Sequence, residues 1–184
     1  MKFNLPLIAV ILFALLSAST AKAQLLGNNE RYAQYVSHVN VGLEGLYTMN
    51  PGHQIYTGGV GFSIKYQYDV TQNLGVTGGT GYYILPAKNQ SGNPVQRADF
   101  KMIPLRVGAK AYFLPEAYFG GELGVAYVDP YVNPLKQSHF AKTLAPSIGY
   151  ETNHLDVSFR YENVNHSGDY VSFITLRAAY IFNF

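Results

Sequence analysis

Ten charged side chains fall at alternate positions of otherwise apolar segments: Glu44, Lys65, Arg106, Lys110, Glu122, Glu151, Asp156, Arg160, Glu162 and Arg177. Charges of both signs interleaved in this way pair with one another, or line a path for ions, if the chain encloses them. An enclosed charge without a partner is costly. Counting back from the connection near His166, Asp156 and Arg177 fall almost opposite each other, and Lys110 and Glu122 flank the turn at Pro115. Both pairs are expected to meet. A second set of residues suggests different chemistry. His166-Ser167-Gly168-Asp169 gathers the residue types of a nucleophilic hydrolase in one segment, yet such groups must be assembled in space, and a solvated loop is the simpler reading of His166. The other histidines, His38, His53, His139 and His154, are dispersed without metal-ligand spacing. The absence of Cys excludes a Cys-ligated metal and any disulfide. No catalytic residue, metal site or cofactor is expected.

The elements that must position these charges are strands. The chain of 184 residues carries 16 Tyr, 11 Phe and 18 Gly, a bias toward strands. Period-two alternation, which sends neighbours to opposite faces, recurs eight times. The first strand sets Val39, Val41, Leu43, Gly45 and Tyr47 against Asn40, Gly42 and Glu44. The second sets Tyr56, Val60, Phe62, Ile64, Tyr66 and Tyr68 against Gly59, Gly61, Ser63, Lys65 and Gln67. In the third, Leu74, Val76, Tyr82 and Ile84 oppose Gly75, Thr77, Gly79 and Gly81, and in the fourth Ile103, Leu105, Val107, Ala109, Ala111 and Phe113 oppose Arg106, Gly108, Lys110 and Tyr112. Phe119, Leu123, Val125 and Tyr127 face away from Gly120, Glu122 and Gly124; Leu144, Ile148 and Tyr150 from Thr143, Ser147 and Glu151. The seventh strand divides Leu155, Val157, Phe159 and Tyr161 from Asp156, Ser158, Arg160 and Glu162, and the eighth divides Ile174, Leu176, Ala178, Tyr180, Phe182 and Phe184 from Thr175, Arg177, Ala179 and Asn183. Pro104 and Pro146 each remove a ladder donor inside a strand, so a bulge or irregularity is expected at both.

Residues 1–23 read as a cleaved export signal: Lys2, the apolar run Leu5 to Leu16, and Ala21-Lys22-Ala23 before Gln24. The apolar run is too short to span a bilayer. Taking away this segment removes two of the 13 basic residues and none of the 11 acidic ones, leaving the remainder balanced. A nucleic-acid partner is therefore not expected. Residues 24–31 would form a short periplasmic segment and 32–184 the barrel. Asp69 to Asn73, Leu114 to Ala117 and Glu151 to His154 are short turns; Pro86 to Asp99 and Asp129 to His139 are long loops, with Met49 to Gln54 and Asn163 to Asp169 of medium length. Membrane barrels keep short turns periplasmic and longer loops outside, so the first strand runs outward.

The faces decide between a membrane barrel and a soluble one. On the apolar faces only Lys101 and Lys142 are charged, both near the outer loops, where long stems can snorkel. A lipid-facing Lys or Arg at mid-membrane would cost about 2–4 kcal/mol. The apolar set is too bulky for the inside of a barrel of this size, which has room for one layer of side chains. Aromatic residues also collect at strand ends, at Tyr66, Tyr68, Phe113, Phe119, Tyr150, Phe182 and Phe184, as an interfacial girdle would. The expected fold is all-β, an eight-stranded antiparallel up-and-down transmembrane barrel, with the ionic residues in the lumen.

Ile103-Pro104-Leu105 before Lys110-Ala111-Tyr112-Phe113, Gly120-Gly121-Glu122-Leu123-Gly124 and the terminal Tyr180-Ile181-Phe182-Asn183-Phe184 resemble the small outer-membrane barrels of Bacteroidetes-type bacteria, with an architecture similar to OmpA and OmpX. The resemblance implies a bacterial outer-membrane location, contact with outer-membrane lipids and lipopolysaccharide, and insertion by the barrel-insertion machinery, for which Tyr180, Phe182 and Phe184 would form the C-terminal signal. It implies a structural, adhesion or interaction role through the extracellular loops, where Asn89, Pro94, Tyr131 and Pro134 could meet an extracellular partner. Two other readings stay open. One is a narrow porin-like channel. The other is a lipid-modifying enzyme, since the hairpin around Phe159-Arg160 and Leu176-Arg177 is similar to that of outer-membrane lipid A deacylases. Their His-x-Ser-Asn signature is missing, with Glu162, Val164 and Asn165 in its place.

Overall fold

A computed structural model describes residues 37–49, 56–87, 99–129, 139–166 and 169–183. The expected signal segment, residues 24–31, Phe184 and most of the outer loops lie outside the described residues. Eight strands occur in chain order: β1 (Ser37–Thr48), β2 (Gly58–Thr71), β3 (Leu74–Leu85), β4 (Phe100–Tyr112), β5 (Ala117–Asp129), β6 (His139–Glu151), β7 (Leu155–His166) and β8 (Asp169–Asn183). Each pairs antiparallel with the next, and β1 pairs with β8, so the sheet closes. Closure is what hydrocarbon demands, because a strand edge there would leave its N–H and C=O groups unpaired. Following the register from Val39 through Tyr66, Gly78, Val107, Leu123, Leu144, Asn163 and Ser172 returns the path to β1 at Met49, whose N–H donates to the Ser172 carbonyl at 2.8 Å. That stagger is the geometric counterpart of strands tilted across the barrel wall.

The alternation read from the sequence divides the wall as expected. Leu43 is 74% exposed, and Val60, Leu105 and Leu176 are nearly as open, whereas Glu44, Lys65, Arg106 and Arg177 are buried. Apolar side chains at that exposure around a closed sheet form a belt facing lipid. Aromatic pairs close the belt at both ends: Phe113 stacks on Phe119 with centroids 4.6 Å apart at the short-turn end, and Tyr127 meets Phe140 edge-on at 5.7 Å near the outer end.

Four expectations are corrected or narrowed. Tyr56 does not face lipid; it precedes β2, bridges Ala87 and is buried against Phe100. The connection expected over Asn163 to Asp169 contracts, because β7 and β8 stay paired up to His166↔Asp169. At the prolines the expected irregularity is present as a lapse in pairing and not as a bulge. Pairing lapses between Thr80↔Leu105 and Tyr83↔Met102 beside Pro104, and between Leu144↔Asn163 and Ser147↔Arg160 beside Pro146, with the register unchanged across each gap. Thr80 Oγ1 donates to the Pro104 carbonyl at 2.8 Å and so occupies an acceptor facing lipid. The register shift falls instead between Asp69 and Thr71, next to the turn at Gln72-Asn73.

The fourth correction concerns the lumen, which is not ionic throughout. Leu46, Tyr56, Tyr83, Leu85, Phe100, Met102, Val128, Val164 and Phe173 form a buried apolar cluster. All lie near the same ends of their strands, or in the case of Tyr56 just before β2, so the cluster fills the outer part of the barrel and the charges fill the rest. Inward glycines make room for the largest rings. A Cβ at Gly61 would stand 2.2 Å from Cδ1 of Tyr83, and one at Gly149 would stand 2.4 Å from Cζ of Tyr118. The lipid-facing Gly45 and Gly78 have open space where a Cβ would go. Gly61→Val and Gly149→Val should therefore each destabilise the refolded barrel by about 1–3 kcal/mol, while Gly78→Val leaves it within about 0.5 kcal/mol. Urea titration of the lipid-reconstituted barrel, followed by gel mobility, checks this, and equal losses at Gly61 and Gly78 would refute the packing account.

Candidate functional site

Inward parity places Glu44 on β1, Lys65 on β2, Arg106 and Lys110 on β4, Glu122 on β5, Glu151 on β6, Asp156, Arg160 and Glu162 on β7, and Arg177 on β8. All ten are buried, so each charge must find its counter-charge across the lumen. Arg106 is the hub of the central layer. Its Nη1 donates to Glu162 Oε1 at 2.6 Å, its Nη2 to the Tyr83 hydroxyl at 2.6 Å, and its Nε lies 3.2 Å from Glu122 Oε2. Lys65 Nζ donates to Glu122 Oε1, and Arg160 Nη2 donates to Glu44 Oε2 and lies 3.4 Å from Glu162 Oε2. Arg177 joins this layer to the one below. Its Nε donates to Ser63 Oγ at 2.9 Å and lies 3.5 Å from Glu44 Oε1, while its Nη1 donates to Asp156 Oδ2 at 3.2 Å.

The layer nearer the periplasm is built around Lys110. Its ammonium donates to Glu151 Oε2 at 2.6 Å and to Asp156 Oδ2 at 2.9 Å, and it sits 4.3 Å from the centroid of the Tyr118 ring. Tyr118 and Tyr112 donate to Asp156 and Glu151 at 2.8 and 2.9 Å. Gln67 Nε2 donates to the Tyr112 hydroxyl and to Asp69 Oδ1, both at 2.8 Å, and so extends the network to the mouth. His38 Nε2 stands 3.7 Å from Glu151 Oε1 at the same end.

The structure thus brings Asp156 and Arg177 together on a diagonal, since in register Arg177 faces Ser158 and Asp156 faces Ala179. It does not join Lys110 to Glu122. Gly108, not Lys110, lies opposite Glu122; Glu122 turns to Lys65 and Arg106, whereas Lys110 reaches across the lumen to β6 and β7. A turn fixes which residues are neighbours along two strands, but inside a narrow barrel a long side chain finds equally near partners on the far wall. Tyr83, Tyr112 and Tyr118, which tie the network together, carry no charge to mark them, although their parity with Gly81, Lys110 and Gly120 was a usable signal.

The hydrolase and metal readings gain no geometry. Glu162 is buried in the lumen with Arg106, while Asn165 lies on the opposite, lipid-facing parity of β7. Ser172 accepts hydrogen bonds at 3.0 Å from both Tyr161 and Asn163 on that outer face. The side chains of His139 and His166 lie outside the described residues, as does His53. Among the described residues no three His, Asp or Glu side chains group as a metal site requires.

Removing one member of so coupled a network strands its partners. Arg160→Met leaves Glu44 and Glu162 short of a cation and should cost about 3–5 kcal/mol in urea unfolding of the reconstituted barrel. The double variant Arg160→Met/Glu44→Gln should recover part of that loss. A single variant within about 1 kcal/mol of the native barrel would overturn the claim that these pairs hold the lumen together.

Solved structures of the same form exist. Ail, the attachment invasion locus protein of Yersinia pestis, superposes with a TM-score of 0.59 at 18% identity over 81% of this chain and 99% of that one. Ail has also been crystallised with the heparin analogue sucrose octasulfate, matching with a TM-score of 0.56 at 18% identity over 79% of this chain and 97% of that one. Neisserial surface protein A matches at 0.55 and 15% over 80% and 97% of the two chains, and the N-terminal barrel domain of Pseudomonas aeruginosa OprF at 0.53 and 12% over 81% and 99%. At these identities the likeness is one of fold. No curated protein matches the chain. The family model of the outer membrane protein β-barrel domain, however, matches residues 8–182. With that match over nearly the whole chain, beside a closed eight-stranded barrel belted by apolar side chains, this protein belongs to the outer membrane protein β-barrel domain family and resides in the bacterial outer membrane.

Proposed function

We propose that the barrel is a sealed anchor and that its extracellular connections form an interaction surface, with neither a conducting pore nor a catalytic centre. The observation that carries this reading is the filled lumen. Tyr83, Leu85, Met102 and Phe173 are fully buried beneath the outer loops, and the ion pairs below them bind charge to charge. Eight-stranded barrels have interiors just wide enough for such filling, and rigid scaffolds commonly present function on loops. Tyr180 and Phe182, whose outward rings lie 4.9 Å apart near the end of β8, support their reading with Phe184 as the signal for the insertion machinery.

The loop sequences favour a polyanionic partner. The loops Pro86 to Asp99 and Asp129 to His139 carry Lys88, Arg97 and Lys136, with Asp99 and Asp129 at their edges. A surface of one sign attracts ligands of the other, with an affinity that falls as salt rises. The sulfated ligand seen on Ail is of that class.

Two measurements test these statements. In planar bilayers the purified barrel should give no discrete conductance steps, and regular single-channel openings would sink the sealed-anchor reading. Immobilised heparin should hold the native barrel at low salt and release it as salt rises, while the Lys88→Ser/Arg97→Ser/Lys136→Ser variant, equally folded, passes through. Retention of that variant at native strength would dismiss the loop cations as the binding surface.

A further inference from the structure

The lipid-facing surface is not uniform around the barrel. A tilted strand needs about 9–11 residues to cross the hydrocarbon. Lys142 is the tenth residue of β6 counted from Glu151, and Asn163 the ninth of β7 counted from Leu155. Both face outward. Lys142 lies opposite Asn165 in register, and Asn163 lies opposite Ser172. Asn163 Nδ2 and the Tyr161 hydroxyl both donate to Ser172 Oγ at 3.0 Å. At the same depth on the far side, β2 presents Val60 and Phe62 and β3 presents Tyr82 and Ile84, with neither a charge nor an amide among them.

Such a strip meets its surroundings at a polarity boundary. Lys142 has no ion-pair partner among the described residues, and the buried Ser172 holds the Asn163 amide and the Tyr161 hydroxyl in place beside it. Snorkelling alone would account for a lone Lys with a long stem, as at Lys101, but not for short amide and hydroxyl groups beside it, which cannot reach past the boundary. A cation next to several neutral hydrogen-bonding groups matches a phosphate carried on a sugar: the ammonium takes the phosphate, and amides and hydroxyls take the sugar hydroxyls. The outer leaflet of this membrane supplies that chemistry in its phosphorylated glycolipid.

We propose that Lys142, Asn163 and Asn165, with Asn163 held by the buried Ser172, form a binding site for the phosphorylated glucosamine headgroup of lipopolysaccharide on the β6–β8 side of the barrel. The proposal rests on the outer-membrane location and not on the loop reading, so either can fail without the other.

The test uses the barrel refolded in zwitterionic micelles and native mass spectrometry of retained lipid, with bisphosphorylated lipid A, phosphate-free lipid A and phosphatidylglycerol as probes. The native barrel should hold bisphosphorylated lipid A most tightly. Lys142→Met and the polar, uncharged Lys142→Gln should each weaken it about tenfold, the scale of one charge-assisted contact, with no change toward phosphate-free lipid A. Asn163→Leu/Asn165→Leu should weaken both glycolipids severalfold. Heat-modifiable gel migration verifies folding of each variant. Equal retention by the native barrel and both Lys142 variants overturns the site. Phosphatidylglycerol held as tightly as bisphosphorylated lipid A overturns it too, reducing the strip to a nonspecific anionic contact.

Discussion

In hydrocarbon a backbone N–H or C=O has no water to fall back on, and each one left unpaired costs several kcal/mol. That constraint forces β1 to meet β8. Closure in turn sets the size of the enclosed space, since eight tilted strands leave a lumen that side chains can fill but not much exceed. Everything inside must then be complementary to everything else inside. Even the prolines follow this rule, as Thr80 supplies a donor to the Pro104 carbonyl where the ladder lapses.

The filling is graded along the barrel axis. Toward the outside it is apolar, with Phe100, Met102 and Phe173 closing beneath the loops; toward the periplasm it is ionic. Five cations, Lys65, Arg106, Lys110, Arg160 and Arg177, are interleaved with five carboxylates, Glu44, Glu122, Glu151, Asp156 and Glu162. Buried ion pairs are weak sources of net stability but strong sources of specificity when every member is partnered. Here they tie β1, β2, β4, β5, β6, β7 and β8 to one another across the lumen, which no ladder hydrogen bond can do. Tyr83 belongs to both regions, its ring in the apolar cluster and its hydroxyl on Arg106 and Arg160. The inward glycines Gly61 and Gly149 let such rings lie flat against the wall.

The outside of the barrel answers to a different solvent. Its belt is apolar where hydrocarbon lies and aromatic at the edges, as interfacial anchoring favours. Its departures from that pattern are few, and one group of them lies on β6 and β7 near the outer boundary. A polar group facing lipid persists only where something polar meets it, so departures from the belt carry more functional information than the belt itself.

The period of alternation and the placement of charge on one parity were enough to indicate a closed membrane barrel and which ten charges face inward. These are local properties: a side chain's face is set by its own backbone, and lipid exposure leaves its mark on every second residue. The sequence could not choose partners inside the lumen. Asp156 and Arg177 lie close along adjacent strands and were legible as a pair, whereas Lys110 bypasses Glu122 for Glu151 and Asp156 on the far wall, because closure makes opposite walls as near as neighbouring strands. Nor could it show that Tyr56 tucks inside, that the outer part of the lumen is apolar, or that β7 and β8 stay paired to His166 and Asp169. Those outcomes depend on how side-chain volumes share one enclosed space, and only the tertiary structure fixes that division.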